Sequence, residues 1–380
     1  MLKNIVFVLL ILFSENVFSQ DRFDSLITSG IKDIYNIKFP EAEKTFDLVM
    51  KEFPNHPAGY FFDAMILWWK ILLDLDNEKY DDLFIEKLDK VIDFCDEILE
   101  KNPNNSGAIF FKGGSLGFRG RLYAVRKSWV NAALDGKDAL PLVKKAYIAN
   151  PKNTDVQLGF GIYNYLAAVI PDNYPFVKPL IAFLPKGNKK RGIDQLNYAA
   201  TKGKYAKYES IYFLSTLYYT FEKDYNKSME YVNQLRKEFP DNPRFHVLLG
   251  RIWIKKNNYF LASSIFKEAL NKARKKYPGY NDKIVRESYY YLGMYHKNNA
   301  VYDSARIYFE NCESLSKKID KKKESGFLIN SSLFLGNIYD VLGMREKAKK
   351  KYREVLDFDE FGQSYEFAER YLKKPYNGSN

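Results

Sequence analysis

Three Leu-Gly pairs in the C-terminal half constrain this chain more than any other feature. They lie in LLGRIW (248–253), YLGMYH (291–296) and FLGNIY (334–339), and their glycines, Gly250, Gly293 and Gly336, are spaced by 43 residues each time. Twelve residues after each glycine comes an alanine: Ala262, Ala305 and Ala348. Four further on comes an aromatic (Phe266, Phe309, Tyr352), and three beyond that a smaller apolar residue (Ala269, Cys312, Val355). Four positions held in register three times mark a repeated unit, and the apolar residues around them recur at the i, i+3, i+4, i+7 spacing of an amphipathic helix. Each unit reads as a helical hairpin. Its Gly and Ala are small so that two backbones approach closely, and the aromatic fills the space beside them. One hairpin cannot bury its own apolar face, so neighbours must stack.

A turn recurs as well. KEFPNHP (51–57) and KEFPDNP (237–243) are nearly the same heptapeptide. Proline disfavours helix at the residue before it, so each copy stops a helix and redirects the chain. KNPNN (101–105) and ANPKN (149–153) read as two more such joints. This pattern resembles the tetratricopeptide repeat, with Leu-Gly at positions 7–8, Ala at 20, an aromatic at 24 and Pro at 32 of a 34-residue unit. Counting back from Pro54 puts Gly30 at position 8, Ala42 at 20 and Phe46 at 24. The other joints put Val91, Ala139 and Ser228 at position 20, and Ser228 to Ala262 is the family's own period. The 43-residue units carry nine residues more than that period, read as longer second helices. The resemblance implies an all-α, right-handed superhelical solenoid of about seven stacked antiparallel hairpins. The expected organisation is a signal peptide at 1–19, N-terminal hairpins over 20–105, an irregular helical middle over 106–208, C-terminal repeats over 209–356 and a closing helix and tail over 357–380.

The middle differs in composition. FFKGGSLGFRGRLYA (110–124) is glycine-rich, and LGFGIYNYLAAVIPDNYPFVKPLIAFLPKGNKKRG (158–192) mixes aromatics, prolines and a basic turn. Gly161, Tyr163, Tyr165, Pro185, Gly187, Arg191, Gly192 and Leu196 resemble the outer-membrane tetratricopeptide family that includes eukaryotic inclusion-body clearance proteins. That resemblance implies a binding protein with no established chemistry. GGSLGFRG lacks the Gly-Lys-Ser/Thr ending of a phosphate loop, and GFGIYN lacks the third glycine of a dinucleotide fingerprint. Close helix crossing and tight turns account better for these glycines. Arg119, Arg121, Lys186, Lys189, Lys190 and Arg191 form a candidate anion site, weighed against an ordinary solvated basic loop.

In the tetratricopeptide family the inner groove is lined by first-helix positions 2, 5, 9, 12 and 13. Carried onto this chain, that names Phe213 and Leu217; Arg244, Arg251 and Lys255; Tyr290, Met294 and Lys297; and Asn330, Asn337 and Asp340. The groove would be aromatic and basic at its centre, which suits an extended acidic peptide or a partner helix. With 30 Tyr and 29 Phe, aromatic platforms for glycan rings are an alternative, for which Trp253 would be the fluorescent reporter. The histidines, His56, His246 and His296, have no metal-ligand spacing, and no nucleophile motif is present. No catalytic residue, metal or cofactor is expected; an envelope enzyme with a dispersed site is the remaining alternative.

The apolar run from Ile5 to Phe13, after Lys3 and before a Val17-x-Ser19 cleavage pattern, reads as a secretory signal. No Cys follows it, so no lipoprotein anchor is expected. The expectation is an exported, soluble protein, periplasmic or secreted, with a protein or peptide partner. The net charge of +12 reflects Lys-rich composition, and an exported chain rarely meets nucleic acid, so none is expected as a partner. Cys95 and Cys312 both fall on inward helix faces and read as buried free thiols.

Overall fold

The computed structural model describes residues 20–182 and 184–378, so the expected signal peptide lies outside the described residues. Helix α1 spans 20–35. The chain continues through α2 (Phe39–Glu52), α3 (Ala58–Leu73), α4 (Asp81–Lys101), α5 (Ser106–Val125), α6 (Trp129–Ala149), α7 (Val156–Asn173), the short α8 (Lys178–Ile181), α9 (Lys189–Lys202), α10 (Lys207–Leu217) and α11 (Tyr225–Glu238). Then follow α12 (Pro243–Lys255), α13 (Tyr259–Arg274), α14 (Asp282–Asn298), α15 (Tyr302–Ile319), α16 (Gly326–Val341), α17 (Arg345–Asp357) and α18 (Ser364–Lys373). No strand occurs among the described residues, and none of their helices is long and apolar enough to cross a membrane. Among the described residues, helices pair in chain order into eight hairpins, one more than the sequence register counts. The additional pair is α7 with α9, in the glycine- and proline-rich middle.

The register holds in detail. A Cβ added at Gly30, Gly250, Gly293 or Gly336 would lie 2.4–2.8 Å from the ring of Phe46, Phe266, Phe309 or Tyr352 respectively. The glycine is therefore small because the position-24 aromatic ring packs directly against it, more than because two backbones meet there. All four rings are fully buried, as are Ala42, Ala262, Ala305 and Ala348. A fifth repeated position emerges seven residues after each of these glycines. Ile37, Asn257, Ala300 and Gly343 all adopt positive φ, at 61°, 55°, 56° and 74°. Only one of the four is glycine, which is why residue type alone does not reveal the turn.

The four proline joints are one structure repeated. The residue before each proline (Phe53, Asn102, Asn150, Phe239) donates its N–H back to the helix, to the carbonyl of Val49, Ile98, Ala146 or Leu235. Three residues on, His56, Asn105, Asn153 and Asn242 donate to that same residue's carbonyl. The nine extra residues of the long repeats are not confined to the second helix. From Gly250 to Gly293 they are shared by a longer α13, a longer loop at 275–281 and four added residues at the start of α14, and from Gly293 to Gly336 the division is similar.

The chain forms two compact units, one ending at Asn242 and one starting at Pro243. Hairpin α10–α11, which the sequence register grouped with the C-terminal repeats, belongs to the first. Cys95 and Cys312 are free and buried, and burial pushes their thiols up to about 12 and about 11.

Candidate functional site

In the first unit, the inner face is filled by the protein's own side chains. Helix α3, AGYFFDAMILWWKILL, is apolar on nearly every face, and Trp68 and Trp69 are both only 2% exposed. Trp69 packs against Tyr35 of α1 at 4.6 Å between centroids and against Tyr212 of α10 at 5.5 Å. Arg121 of α5 lies 4.9 Å from the rings of Trp68 and Phe118 and 5.5 Å from Phe213. Its guanidinium donates to Glu209 at 2.7 Å, and Glu209 also accepts from the Tyr35 hydroxyl at 3.0 Å. Burial, then the Glu209 charge, pushes the Tyr35 phenol well above its ordinary value. Asp24 of α1 accepts from the Tyr205 hydroxyl and pairs with Lys204, and the Asn242 amide donates to the Tyr35 carbonyl at 2.7 Å. The first hairpin thus meets the fifth. The predicted groove residues Phe213 and Leu217 are buried here.

The cations of the candidate anion site are mostly engaged by carboxylates of this chain. Arg119 pairs with Asp89 and, at 2.6 Å, with Asp135, while Arg121 pairs with Glu209. Lys189 reaches Glu222 at 2.6 Å and Lys190 reaches Asp194 at 2.7 Å. Lys186 and Arg191 are exposed. The structure therefore engages four of the six in separate ion pairs and leaves Lys186 and Arg191 on the surface, so they form no single site. The neighbouring family-like residues do converge, as one helix crossing. A Cβ on Gly161 would meet the Leu196 side chain at 2.7 Å, and one on Gly192 would meet the Tyr165 backbone N at 2.6 Å. Gly187 lies against the α7 backbone, and the Tyr163 hydroxyl donates to the Pro185 carbonyl at 2.6 Å. In this pair the backbones themselves touch.

In the second unit, the predicted groove positions on α14 and α16 come together. Tyr290 packs 5.2 Å from Phe327, and burial pushes its phenol up, with Asn330 opposing. Met294 packs beside Ala305, Phe309 and Leu335. Lys297 lies 5.2 Å from the rings of both Phe334 and Tyr376. It is half-buried, desolvation lowers its ammonium below the ordinary lysine value, and its polar contact is the Tyr376 hydroxyl at 3.4 Å. Asn337 accepts from the Tyr352 hydroxyl at 3.1 Å. Asp340, its side chain fully buried, accepts from Arg345 at 2.8 Å, from the Tyr352 hydroxyl at 2.8 Å and from the Tyr376 backbone N–H at 2.9 Å. Of the remaining groove residues, Arg251 is gripped by both Glu287 oxygens at 2.6 and 2.5 Å, Arg244 is half-buried and Lys255 is exposed.

Sequence reasoning missed Tyr376, which is 6% exposed, and the Glu209 centre. Both carry a signal: a lone aromatic in a polar tail, and an acid inside the apolar run YESIYFLSTLYY (208–219). A basic depression of about 650 Å³ on α15 and α17 includes Lys317, Lys347, Lys350 and Lys351. Burial there would raise Glu354, but Lys317 and Lys351 outweigh it and hold its carboxyl down at about 2. Among the described residues no group of three or more His, Cys, Asp or Glu is placed to hold a metal ion.

No protein-family model and no curated protein sequence matches the chain. Solved structures with a similar fold include PilF of Pseudomonas aeruginosa (13% identity, 66% of this chain and 97% of that one, TM-score 0.42) and the type IV pilus biogenesis factor PilW (14%, 67% and 96%, TM-score 0.42). Another is YrrB, a tetratricopeptide protein with an unusual peptide-binding site (12%, 73% and 97%, TM-score 0.32). The glycine-on-aromatic register decides the type. These hairpins have the fold of tetratricopeptide repeats. Within the repeats the histidines have structural surroundings. Neutral His56 accepts the Ala58 N–H at 3.2 Å and packs on Phe23, His246 contacts the Tyr280 hydroxyl at 2.8 Å, and His296 stacks on Tyr308.

Proposed function

We propose that this tetratricopeptide protein is an exported scaffold that holds a protein or peptide partner on the inner face of its second unit. The observation that carries this reading is Lys297, a half-buried, desolvated cation facing two aromatic rings with no carboxylate of the described residues in reach. Stability alone gives no reason to desolvate an ammonium without a counter-charge. An acidic, aromatic-bearing segment of a partner would supply both the charge and the stacking. No catalytic step and no cofactor enters this reading. The test is cross-linking of the tagged mature protein in its native envelope, followed by mass spectrometry of co-purified proteins. One abundant partner, lost on Lys297→Glu but retained on Lys186→Glu, is the expected result. An identical capture profile for both variants would remove the groove from the assignment.

A second reading has one observation in its favour. Trp129, Tyr174 and Phe176 form a cluster in the first unit, with Trp129 and Tyr174 at 5.2 Å and Phe176 61% exposed. Such a cluster suits a sugar ring. Trp68 and Trp69 are buried and Trp253 packs against the Phe266 cluster, so an oligosaccharide would report through Trp129. Fluorescence unchanged by oligosaccharides from the envelope would dismiss this reading.

A further inference from the structure

The tail after α18 does not run into solvent. Arg345 donates to the carbonyls of Tyr371 and Leu372 at 2.8 and 2.7 Å, which fixes the end of α18. The chain then turns back, so that the Tyr376 N–H reaches Asp340 and the Tyr376 ring lies against Lys297 and 5.3 Å from Tyr371. At Gly378, an added Cβ would sit 3.3 Å from the Tyr302 hydroxyl and 3.9 Å from Val341. Lys297, Asp340 and Val341 occupy first-helix positions 12, 12 and 13 of their repeats, which are groove positions. An extended segment of this chain therefore already sits where the groove reading puts a ligand. It uses the two contacts any extended ligand would use there: a backbone N–H to a buried carboxylate and an aromatic ring against a cation.

We propose that Lys297, Phe334 and Asp340 form a recognition subsite for a tyrosine in an extended segment of a partner protein, and that the tail Lys374–Gly378 holds this subsite in the partner's absence. The inference rests on the scaffold reading and names the chemistry its partner must present. The described tail fills the subsite incompletely, because Lys297 gains from it a ring and a hydroxyl at 3.4 Å but, among the described residues, no anion. A partner tyrosine followed or preceded by Asp or Glu supplies the missing charge and so displaces the tail. Tail and partner compete for one site, so the apparent affinity for the partner is lowered by the fraction of molecules with the tail in place.

The test uses the full mature chain and two fluorescent hexapeptides, Lys-Lys-Pro-Tyr-Asn-Gly, which copies residues 373–378, and its acidic version Glu-Glu-Pro-Tyr-Asn-Gly. The acidic peptide is expected to bind the Tyr376→Ala protein about ten-fold or more tighter than the wild type, and tighter than the basic peptide. Lys297→Met in the Tyr376→Ala background should abolish the difference between the two peptides. Amide hydrogen exchange on the wild type needs no variant to fold: the Tyr376 amide should be protected in the free protein and exposed by excess acidic peptide. Equal affinities for wild type and Tyr376→Ala, or a Tyr376 amide that exchanges freely without peptide, would overturn the proposal. Partner capture separates this from the scaffold reading. A partner retained equally by wild type and Tyr376→Ala, with no peptide binding by either, leaves the scaffold standing and sinks the subsite. Peptide binding with no captured partner does the reverse.

Discussion

The two units use the same hairpin and treat its inner face in opposite ways. In the first, Trp68, Trp69, Tyr212 and Phe213 fill that face, and a buried Arg121–Glu209–Tyr35 centre ties α5, α10 and α1 together. In the second, the predicted groove positions carry Tyr290, Lys297, Asn330 and Asp340, and the chain's own tail packs against Lys297 and Asp340. A repeat architecture fixes where side chains point but not whether the inner face is core or binding surface. Side-chain volume and polarity at a few positions decide that.

The comparison can be broken most directly at Glu209. Glu209→Leu leaves Arg121 buried without its carboxylate, and breaking a buried pair from one side costs about 3–5 kcal/mol. Denaturant unfolding followed by tryptophan fluorescence, which Trp68 and Trp69 report, measures it. A loss under about 1 kcal/mol would mean that the face is wet and the contrast between units is wrong.

A second test compares how the glycines are used. Gly336→Ala presses a methyl against the Tyr352 ring and Gly192→Ala presses one against the Tyr165 backbone. Overpacking of this kind costs about 1–3 kcal/mol. Gly192→Ala is expected at the upper end, because a ring can tilt while a helix backbone must move as a body. Equal thermal shifts would show that the α7–α9 crossing is no tighter than an ordinary repeat.

Smaller effects lie in the left-handed turn shared by both units. Ala300→Gly relieves a positive φ and should stabilise by about 1 kcal/mol, whereas Gly343→Ala should cost about as much. Opposite signs in thermal melts confirm the shared position; the same sign for both refutes it.

The smallest expected effect is a pH dependence. Burial lowers the folded-state pKa of His56, and of His296 to which Lys267 adds, so the unfolded chain takes up protons first as pH falls below about 6.5. Stability should be full above that pH and decline as pH falls through it toward the depressed folded value. His56→Gln should flatten the urea midpoint between pH 7 and pH 5.5. A wild-type midpoint constant over that range would mean that His56 is solvated.

The hairpins, their joints and their glycine-on-aromatic contacts were legible because each is local. Gly30 and Phe46 are 16 residues apart, and so are Gly250 and Phe266, Gly293 and Phe309, and Gly336 and Tyr352. A contact that recurs at fixed separation leaves a period in the chain. The groove positions on α14 and α16 could be named for the same reason, since they follow from the register. The φ of Ile37 and Ala300 was not legible, because neither residue type demands it. Nor was the eighth hairpin: counted on from Pro151, Gly161 falls at position 8, but α8 and its loops put Gly192 31 residues further on, so the second half of this hairpin falls outside the 34-residue register.

What the sequence determined by itself, then, is the repeat: a 3.6-residue periodicity, small residues opposite large rings, and prolines that end helices. Only the tertiary structure decided which inner face is closed and what covers the other. Tyr35 meets Glu209 across 174 residues and Lys297 meets Tyr376 across 79. Those meetings join side chains from different hairpins, or from a hairpin and the tail, and no local spacing encodes them.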